Sequence, residues 1–456
     1  MNKVNTEGQM LRRRREQHFL KTLLFLSIPT IVEEVLATLL QYVDTAMVGQ
    51  LGEQATASVS ITTNVTWLVN SVSGAVGTAV LVLISKASGE EDENQIKKLS
   101  QQALLLALVS GVVMEIISLL LCPYIPAWMG AEAAIREQAS RYFLIISAPL
   151  VFRYVSTILG AALRAVQDTK TPMFISIAAN GLNIVLNYCL IYQAGLGVDG
   201  AAIASAVSYI ISGILMLAAC RRNRQLQWEI QEFSVDTRII RMCGTVGLPV
   251  LGTSMVSCLG YVVFAGLVSG MGTTVFAAHS IAVTAETIFY VPGYGLRSAA
   301  STLIGNARGE GDAKKLKTIG ILSVFLTVGI MCISGLVLFF CAGALMNLFT
   351  PSRPVAELGA QMLRLVAVSE PFFGLMVVLE GIYYGMGQTR YSFVVETVGM
   401  WGVRIFFTFL CVRYWGPGLR AVWYCMIADN VCKAVLFAVP FMIRRSRIRN
   451  QIRELN

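Results

Sequence analysis

Residues 22–46 read TLLFLSIPTIVEEVLATLLQYVDTA. The run carries three acids and no base, yet it is too apolar and too long for an ordinary buried helix. At roughly twenty residues per crossing of a hydrocarbon core about 30 Å thick, its length suits a membrane span. Comparable charge-poor runs recur along the chain, at 56–84, 101–124, 142–164, 172–193, 198–219, 242–269, 274–304, 318–347, 361–386, 391–412 and 418–442. With the first they predict twelve transmembrane helices and an all-α integral membrane fold, leaving no length for a soluble catalytic domain. A transmembrane barrel would show short alternating segments instead, and none occur.

Composition agrees. Of 456 residues, 55% are hydrophobic and 14% charged, and the mean hydropathy is +0.65, too few charges to cover a soluble globule of this size. The formal charge of +9 does not point to nucleic acid, because the bases gather where apolar runs end: Arg12, Arg13, Arg14 and Arg15; Lys97 and Lys98; Arg221, Arg222 and Arg224; Lys314, Lys315 and Lys317; Arg444, Arg445, Arg447 and Arg449. Placing both termini in the cytoplasm puts most of them on one side, as the positive-inside rule expects. The ten cysteines show no metal-ligand spacing. The first helix reads as uncleaved, since Glu33, Glu34 and Asp44 interrupt it and no cleavage site follows.

The second half repeats the first. A constant offset of 220 residues carries Pro29 onto Pro249, Gly52 onto Gly272, Ser60 and Ile61 onto Ser280 and Ile281, Ala79 onto Ala299, Gly89 and Asp92 onto Gly309 and Asp312, and Thr169 onto Thr389. One gapless register over so long a stretch marks a duplication. Six helices per half make the repeats parallel. The expected organisation is a basic amino terminus at 1–21, a first lobe at 22–220, a linker at 221–241, a second lobe at 242–443 and a basic tail at 444–456. Two bundles that rock against each other suit alternating access better than a pore.

An acid inside a span costs several kilocalories per mole and needs a reason. At 100° per residue, Glu33, Ala37, Leu40 and Asp44 fall on one face of the first helix, and Pro29 supplies a kink below them. Asn183 and Asn187 share a face of the fifth span, and Ser205 on the sixth offers a hydroxyl. One carboxylate, two amides and a hydroxyl suit a proton or sodium site, with Glu33 a second acid on the same face. The same amides and hydroxyl also serve as ordinary interhelical hydrogen bonds. In the second half, Glu286 stands mid-span where the repeat has Thr66. Tyr261, Tyr383, Tyr384, Met400 and Trp401 offer a wall for a lipophilic cation, or plain helix packing. Glu380 with Arg404, and Asp429 with Lys433, are expected ion pairs, and His279 a structural histidine. Glu115 has no partner that the sequence names.

The runs SIPTIVEEVLATLLQYVDTAMVGQLG at 27–52, GLNIVLNYCLIY at 181–192 and GLPVLGTSMVSCLGYVVFAGLVSGMGTTVFAAHSIAVTAETIFYVPGYGLRSAASTLIGNARGEGD at 247–312 resemble the multidrug and toxic compound extrusion (MATE) family over nearly the whole chain. The segment AAHSIA, Glu286 and the Pro292-Gly293 pair resemble its DNA-damage-inducible protein F branch. The resemblance implies a V-shaped pair of six-helix lobes in the bacterial inner membrane. Such a protein exports cationic or amphipathic drugs against H+ or Na+ as a monomer, without a cofactor, a resident metal or an enzymatic activity. It carries the cation site onto Asp44, Asn183 and Ser205, and a substrate or coupling acid onto Glu286. Two departures leave the ion open: Asn187 stands where many members have Asp, and Ser257 where another branch has Glu. The rival expectation is a lipid or lipid-linked sugar flippase, which would need phosphate-binding bases such as Arg153 or Arg297.

Overall fold

The computed structural model describes residues 2–228, 235–415 and 418–454, without the side chains of 2–16, 415 and 444–454. Part of the expected linker at 221–241, and the side chains of the two terminal arginine clusters, therefore lie outside the described residues. What is described is helix, with no strand. In hydrocarbon every backbone N–H and C=O must bond within its own segment, so apolar runs of this length fold as helices.

Ten helices are long and apolar enough to cross a membrane one by one, and two bent pairs make twelve when each pair counts as one span. The single spans are α1 (Asn2–Gly49), α2 (Glu53–Gly89), α3 (Glu93–Leu121), α7 (Lys170–Asn187) with its π-helical extension Tyr188–Gln193, α8 (Gly197–Arg222), α9 (Thr237–Ser269), α10 (Thr273–Gly309) and α11 (Ala313–Phe349). The eleventh span begins as α14 (Thr389–Thr397), widens into a π-helix at Val398–Ile405 and continues through α15 (Phe406–Leu410); α16 (Leu419–Glu454) is the last. The short α4 (Ile125–Trp128) follows α3.

The bent pairs are not visible in the hydropathy. α5 (Ala133–Ser147) meets α6 (Leu150–Ala165) at 49°, and α12 (Arg353–Ala367) meets α13 (Glu370–Gly385) at 55°. The breaks fall at Ala148-Pro149 and Val368-Ser369, equivalent positions under the 220-residue offset. A proline at or just after each break denies the helix a backbone donor.

The duplication extends to local geometry. Gly52 and Gly272 precede α2 and α10 with φ of 110° and 108°. Asp92 and Asp312 cap α3 and α11, each accepting a backbone N–H, from Gln95 and Lys315, at 2.9 Å. Glu91 and Gly311 share a positive φ of 56° and 69°, and Gln167 and Gly387 of 67° and 71°. Glycine holds this left-handed turn without strain in the second copy, whereas Glu91 and Gln167 bear a Cβ there.

The chain forms two compact units, residues 1–31 with 256–456 and residues 32–255. The divisions fall inside α1 and α9, a few residues after Pro29 and Pro249, so the opening stretch of each half-repeat packs with the other half's unit. In the first unit, Leu23 and Leu26 of α1 share a core with Ala300, Ile304, Val378 and Ile382. Gly295 lets the α1 backbone approach closely: a Cβ there would stand 2.7 Å from Ile31 N. Around Pro29, Ser27 Oγ donates to Leu23 O at 2.6 Å and Thr30 Oγ1 to Leu26 O at 3.2 Å, hydroxyls that help satisfy carbonyls beside a proline. In the second unit, Ile239 and Cys243 of α9 join the core built on Tyr154, Ile158, Leu163, Ala79 and Ala103.

Small residues set the helix spacing, since lipid gives helices no hydrophobic reason to associate and close packing must serve instead. A Cβ on Gly213 of α8 would lie 2.5 Å from Phe152 O, whereas one on Gly181 of α7 would meet nothing within 4 Å. Gly213→Ala is expected to destabilise the protein by about 1–3 kcal/mol through overpacking, and Gly181→Ala to leave stability unchanged or raised. Thermal unfolding of the two variants in detergent checks the contrast.

Candidate functional site

In the second unit, α1, α7 and α8 bring Asp44, Asn183, Asn187 and Ser205 together. Asn187 Nδ2 donates to Asp44 Oδ1 at 2.5 Å and to Asn183 Oδ1 at 3.0 Å, and Asn183 Nδ2 donates to Ser205 Oγ at 3.3 Å. Turned over, the Asn183 amide would place its own nitrogen 3.0 Å from Asp44 Oδ1. An amide offers N–H to an ionised carboxyl and C=O to a protonated one, so this group tolerates both charge states. Asn187 Oδ1 is buried and accepts no hydrogen bond, leaving an oxygen free for a cation or a donated proton. Among the described residues no lysine, arginine or histidine forms an ion pair with Asp44.

Glu33 is not part of this group, contrary to its assignment there. Arg164 of α6 lies 3.2 Å from Glu33 Oε2, and Ser176 Oγ donates to Oε1 at 2.9 Å. The two acids share a helical face, but three turns separate them and each meets a different neighbour. Glu115, which lacked a named partner, accepts the Val151 backbone N–H at 3.1 Å. It thereby satisfies a donor left open at the start of α6 by the break at Pro149.

In the first unit the expected pairing of Glu380 with Arg404 does not form. Arg297 donates to Glu380 at 2.8 Å and Tyr384 OH donates to it at 2.8 Å. Arg404 instead donates to Asp429 at 2.9 Å and to Asn430 at 3.3 Å. Lys433 reaches Asp429 at 3.1 Å, the pair expected from its spacing, and also Glu396 at 3.0 Å; Ser257 Oγ donates to Glu396 at 2.6 Å. This network ties α9, the eleventh span and α16 together beside the π-helical stretch, where the widened backbone turns Arg404 inward.

The proposed aromatic wall divides. Tyr383 is buried in packing, its hydroxyl on Phe437 O at 3.2 Å and its ring against Tyr391 and Phe437 at 4.9 and 5.3 Å, and Tyr384 is bound to Glu380. Met400 is fully enclosed and fills the notch at Gly260, where a Cβ would lie 2.4 Å from its Cγ. These three serve the core. Tyr261 and Trp401 remain exposed, with the Arg404 guanidinium 5.5 Å from the Tyr261 ring and Trp401 Nε1 donating to Val256 O at 3.2 Å. His279 is buried edge-on to Phe264 and Trp423, the packing role expected of it. Glu286 is buried, and among the described residues it forms no ion pair. Arg153 donates to Tyr209 at 2.8 Å with its guanidinium 4.5 Å from the same ring; like Arg297, it is already engaged by a neighbour.

The residue that sequence reading passed over is Glu370. It opens α13 directly after the break, 1% exposed, with both carboxyl oxygens enclosed and unbonded. In the sequence it stands in VSEPFF, before a proline, and looks like a helix-end acid facing water. Its position midway along the tenth apolar run was the one available signal.

A polytopic helical membrane protein built from two repeats, with isolated acids and amides inside its spans and its charged pairs used for structure, is a transporter and not an enzyme. The chain belongs to the MatE family, whose model matches residues 29–189 and 249–410, two copies that start at the repeat-equivalent prolines. It is similar to the Probable multidrug resistance protein NorM of Thermotoga maritima, 26% identical over 434 residues and 92% of each chain. A protein of the same name from Photorhabdus laumondii is 26% identical over 448 residues, 96% of this chain and 97% of that one. Among solved structures, a MOP superfamily transporter from Pyrococcus furiosus superposes with a TM-score of 0.90 at 22% identity, covering 94% of this chain and 97% of the other. A MATE structure described as being in the bent conformation superposes at 0.88, also 22% identical, covering 96% and 98%. These likenesses show the fold.

The charge network gives a test of its own. Lys433 is 2% exposed, so Lys433→Met, which strands two acids, is expected to cost about 3–5 kcal/mol. Adding Glu396→Gln should recover part of that loss. A double-mutant cycle on thermal stability reads the coupling; additive losses would show that the pair does not interact.

Proposed function

We propose that this protein is a secondary active exporter of cationic or amphipathic small molecules, driven by inward exchange of H+ or Na+ through alternating access of its two halves. The observation that carries the reading is Asp44: an acid in a membrane helix, held by amide groups and matched by no cation. Such a carboxyl is stable when it has taken up a proton or a small cation, and costly when it has not. Its affinity for the coupling ion therefore follows the packing around it, which is all that coupling requires. The bases at the helix ends support cytoplasmic termini in a bacterial inner membrane. The similarity to proteins named for multidrug resistance supports drugs as the substrate class.

The flippase reading loses support from the engagement of Arg297 with Glu380 and of Arg153 with Tyr209, which leaves neither base open to a phosphate. Pro29 fits the exporter reading as the flexible point of α1, next to the place where the chain passes from one compact unit to the other.

Ethidium efflux in everted vesicles tests the proposal. Expression of the wild-type protein should give ion-gradient-dependent ethidium transport, and Asp44→Asn should lower it about tenfold or more at unchanged protein level. Full coupled transport by the variant would remove Asp44 from the mechanism. Repeating the assay in proteoliposomes at fixed pH, with and without a sodium gradient, assigns the ion.

A further inference from the structure

In the first unit three of the acids inside the spans meet a cation. Glu380 takes Arg297, and Asp429 with Glu396 takes Arg404 with Lys433. Among the described residues Glu286 and Glu370 form no ion pair. The helices that carry them, α10 and α13, pack side by side: a Cβ on Gly293 would meet Val377 at 3.9 Å, one on Gly381 the Arg297 O at 2.6 Å and one on Gly385 the Ser301 O at 2.5 Å, and the same register sets Glu286 level with Glu370.

Among the described residues no side chain donates a hydrogen bond to the Glu370 carboxyl and none forms an ion pair with it. From α11, Gly335 faces it: a Cβ there would lie 3.2 Å from Glu370 Cβ. Thr327 and Met331, the other α11 residues on this contact, face Gly374 one turn further along α13 and carry no charge. On α12, Arg364 lies against Gly343 of α11. From α10 the facing titratable group is Glu286, a second acid. The Arg404 guanidinium is bound to Asp429 and Asn430, and Lys433 of α16 is bound to Asp429 and Glu396. A carboxyl with both oxygens enclosed, no donor and a second acid for its neighbour holds a proton, since an unpaired buried carboxylate costs far more than a protonated one. Glu286 keeps 9% of its surface against 1% for Glu370, so an incoming ligand meets Glu286 first.

We propose that Glu370 is a proton-binding site of this unit and forms an exchange pair with Glu286: a lipophilic organic cation is received at the Glu286 carboxylate, and the proton on Glu370 is given up in return. The balance is one of charge. Two adjacent carboxyls do not both ionise without a cation; of the pair, the more exposed Glu286 is the one that ionises, and Glu370 stays neutral. A cation seated against Glu286 cancels the charge that opposed ionisation of Glu370, whose O–H bond then breaks and releases the proton to water, leaving two carboxylates beside a bound cation. When the cation departs, a proton returns. This deepens the exporter reading and rests on it for the identity of the ligand, but the protonated state of Glu370 stands independently.

Two measurements on purified protein in an Asp44→Asn background test the pair. The first is infrared spectroscopy at neutral pH. A protonated-carboxyl stretch is expected that is missing from Glu370→Gln, and its titration can be followed in the parent protein without that substitution should the variant fold poorly. A spectrum that Glu370→Gln leaves unchanged, or a parent protein without the band, overturns the proposal. The second is proton release into weakly buffered solution on adding ethidium. Release is expected from the parent protein; Glu370→Gln should bind ethidium but release no proton, and Glu286→Gln should lose binding. Release that persists in Glu370→Gln refutes the exchange. A protein that shows the band but binds no ethidium would leave Glu370 as a proton site and count against export of organic cations.

Discussion

A carboxyl group inside a membrane must be matched by a cation, bonded to donors or protonated, and this requirement organises the interior of the molecule. Glu33, Glu380, Glu396 and Asp429 meet it with Arg164, Arg297, Lys433 and Arg404. Glu115 meets it with a backbone N–H at the start of a broken helix. These groups are used up in holding helices together. Among the described residues Asp44, Glu286 and Glu370 pair with no cation, which is why the proposed function and the proposed exchange pair rest on them.

The two repeats solved this problem differently. They share turns, caps, left-handed residues and a break in the fourth span of each half, because these follow from backbone geometry inherited with the duplication. Their acids are not shared: Asp44 corresponds to Phe264, Glu286 to Thr66 and Glu370 to Leu150. One unit holds its acid among amides, which adapt to either charge state, and the other places two acids side by side, which adapt by protonation.

The passages of the chain between its compact units also follow the duplication. Both fall within continuous helices, shortly after Pro29 and Pro249. A helix interrupted by a buried proline keeps its direction on each side while losing a backbone bond at the join. In α1 the segment beyond the proline carries Asp44.

The sequence by itself determined the membrane class, the helical content, the duplication and the shared face of Asn183 and Asn187, since all of these follow from hydropathy, from a constant offset or from the 3.6-residue period of one helix; the meeting of that face with Asp44 and Ser205 is an expectation that the packing of three helices meets. It also located Asp429 and Lys433 as a pair, four residues apart on one helix. Partners on different helices were decided by tertiary structure alone. Glu33 shares a face with Asp44 yet meets Arg164, Arg404 turns to Asp429 instead of Glu380, and Tyr383 and Met400 vanish into the core while Trp401 stays exposed. Helical period fixes the direction in which a side chain points; which neighbour stands there depends on helix order, depth and rotation, set by glycine contacts, breaks and π-helical turns spread over the whole bundle. Glu370 escaped notice for the same reason, because a break that looks like a loop end in the sequence is, in the folded chain, the middle of a sealed span.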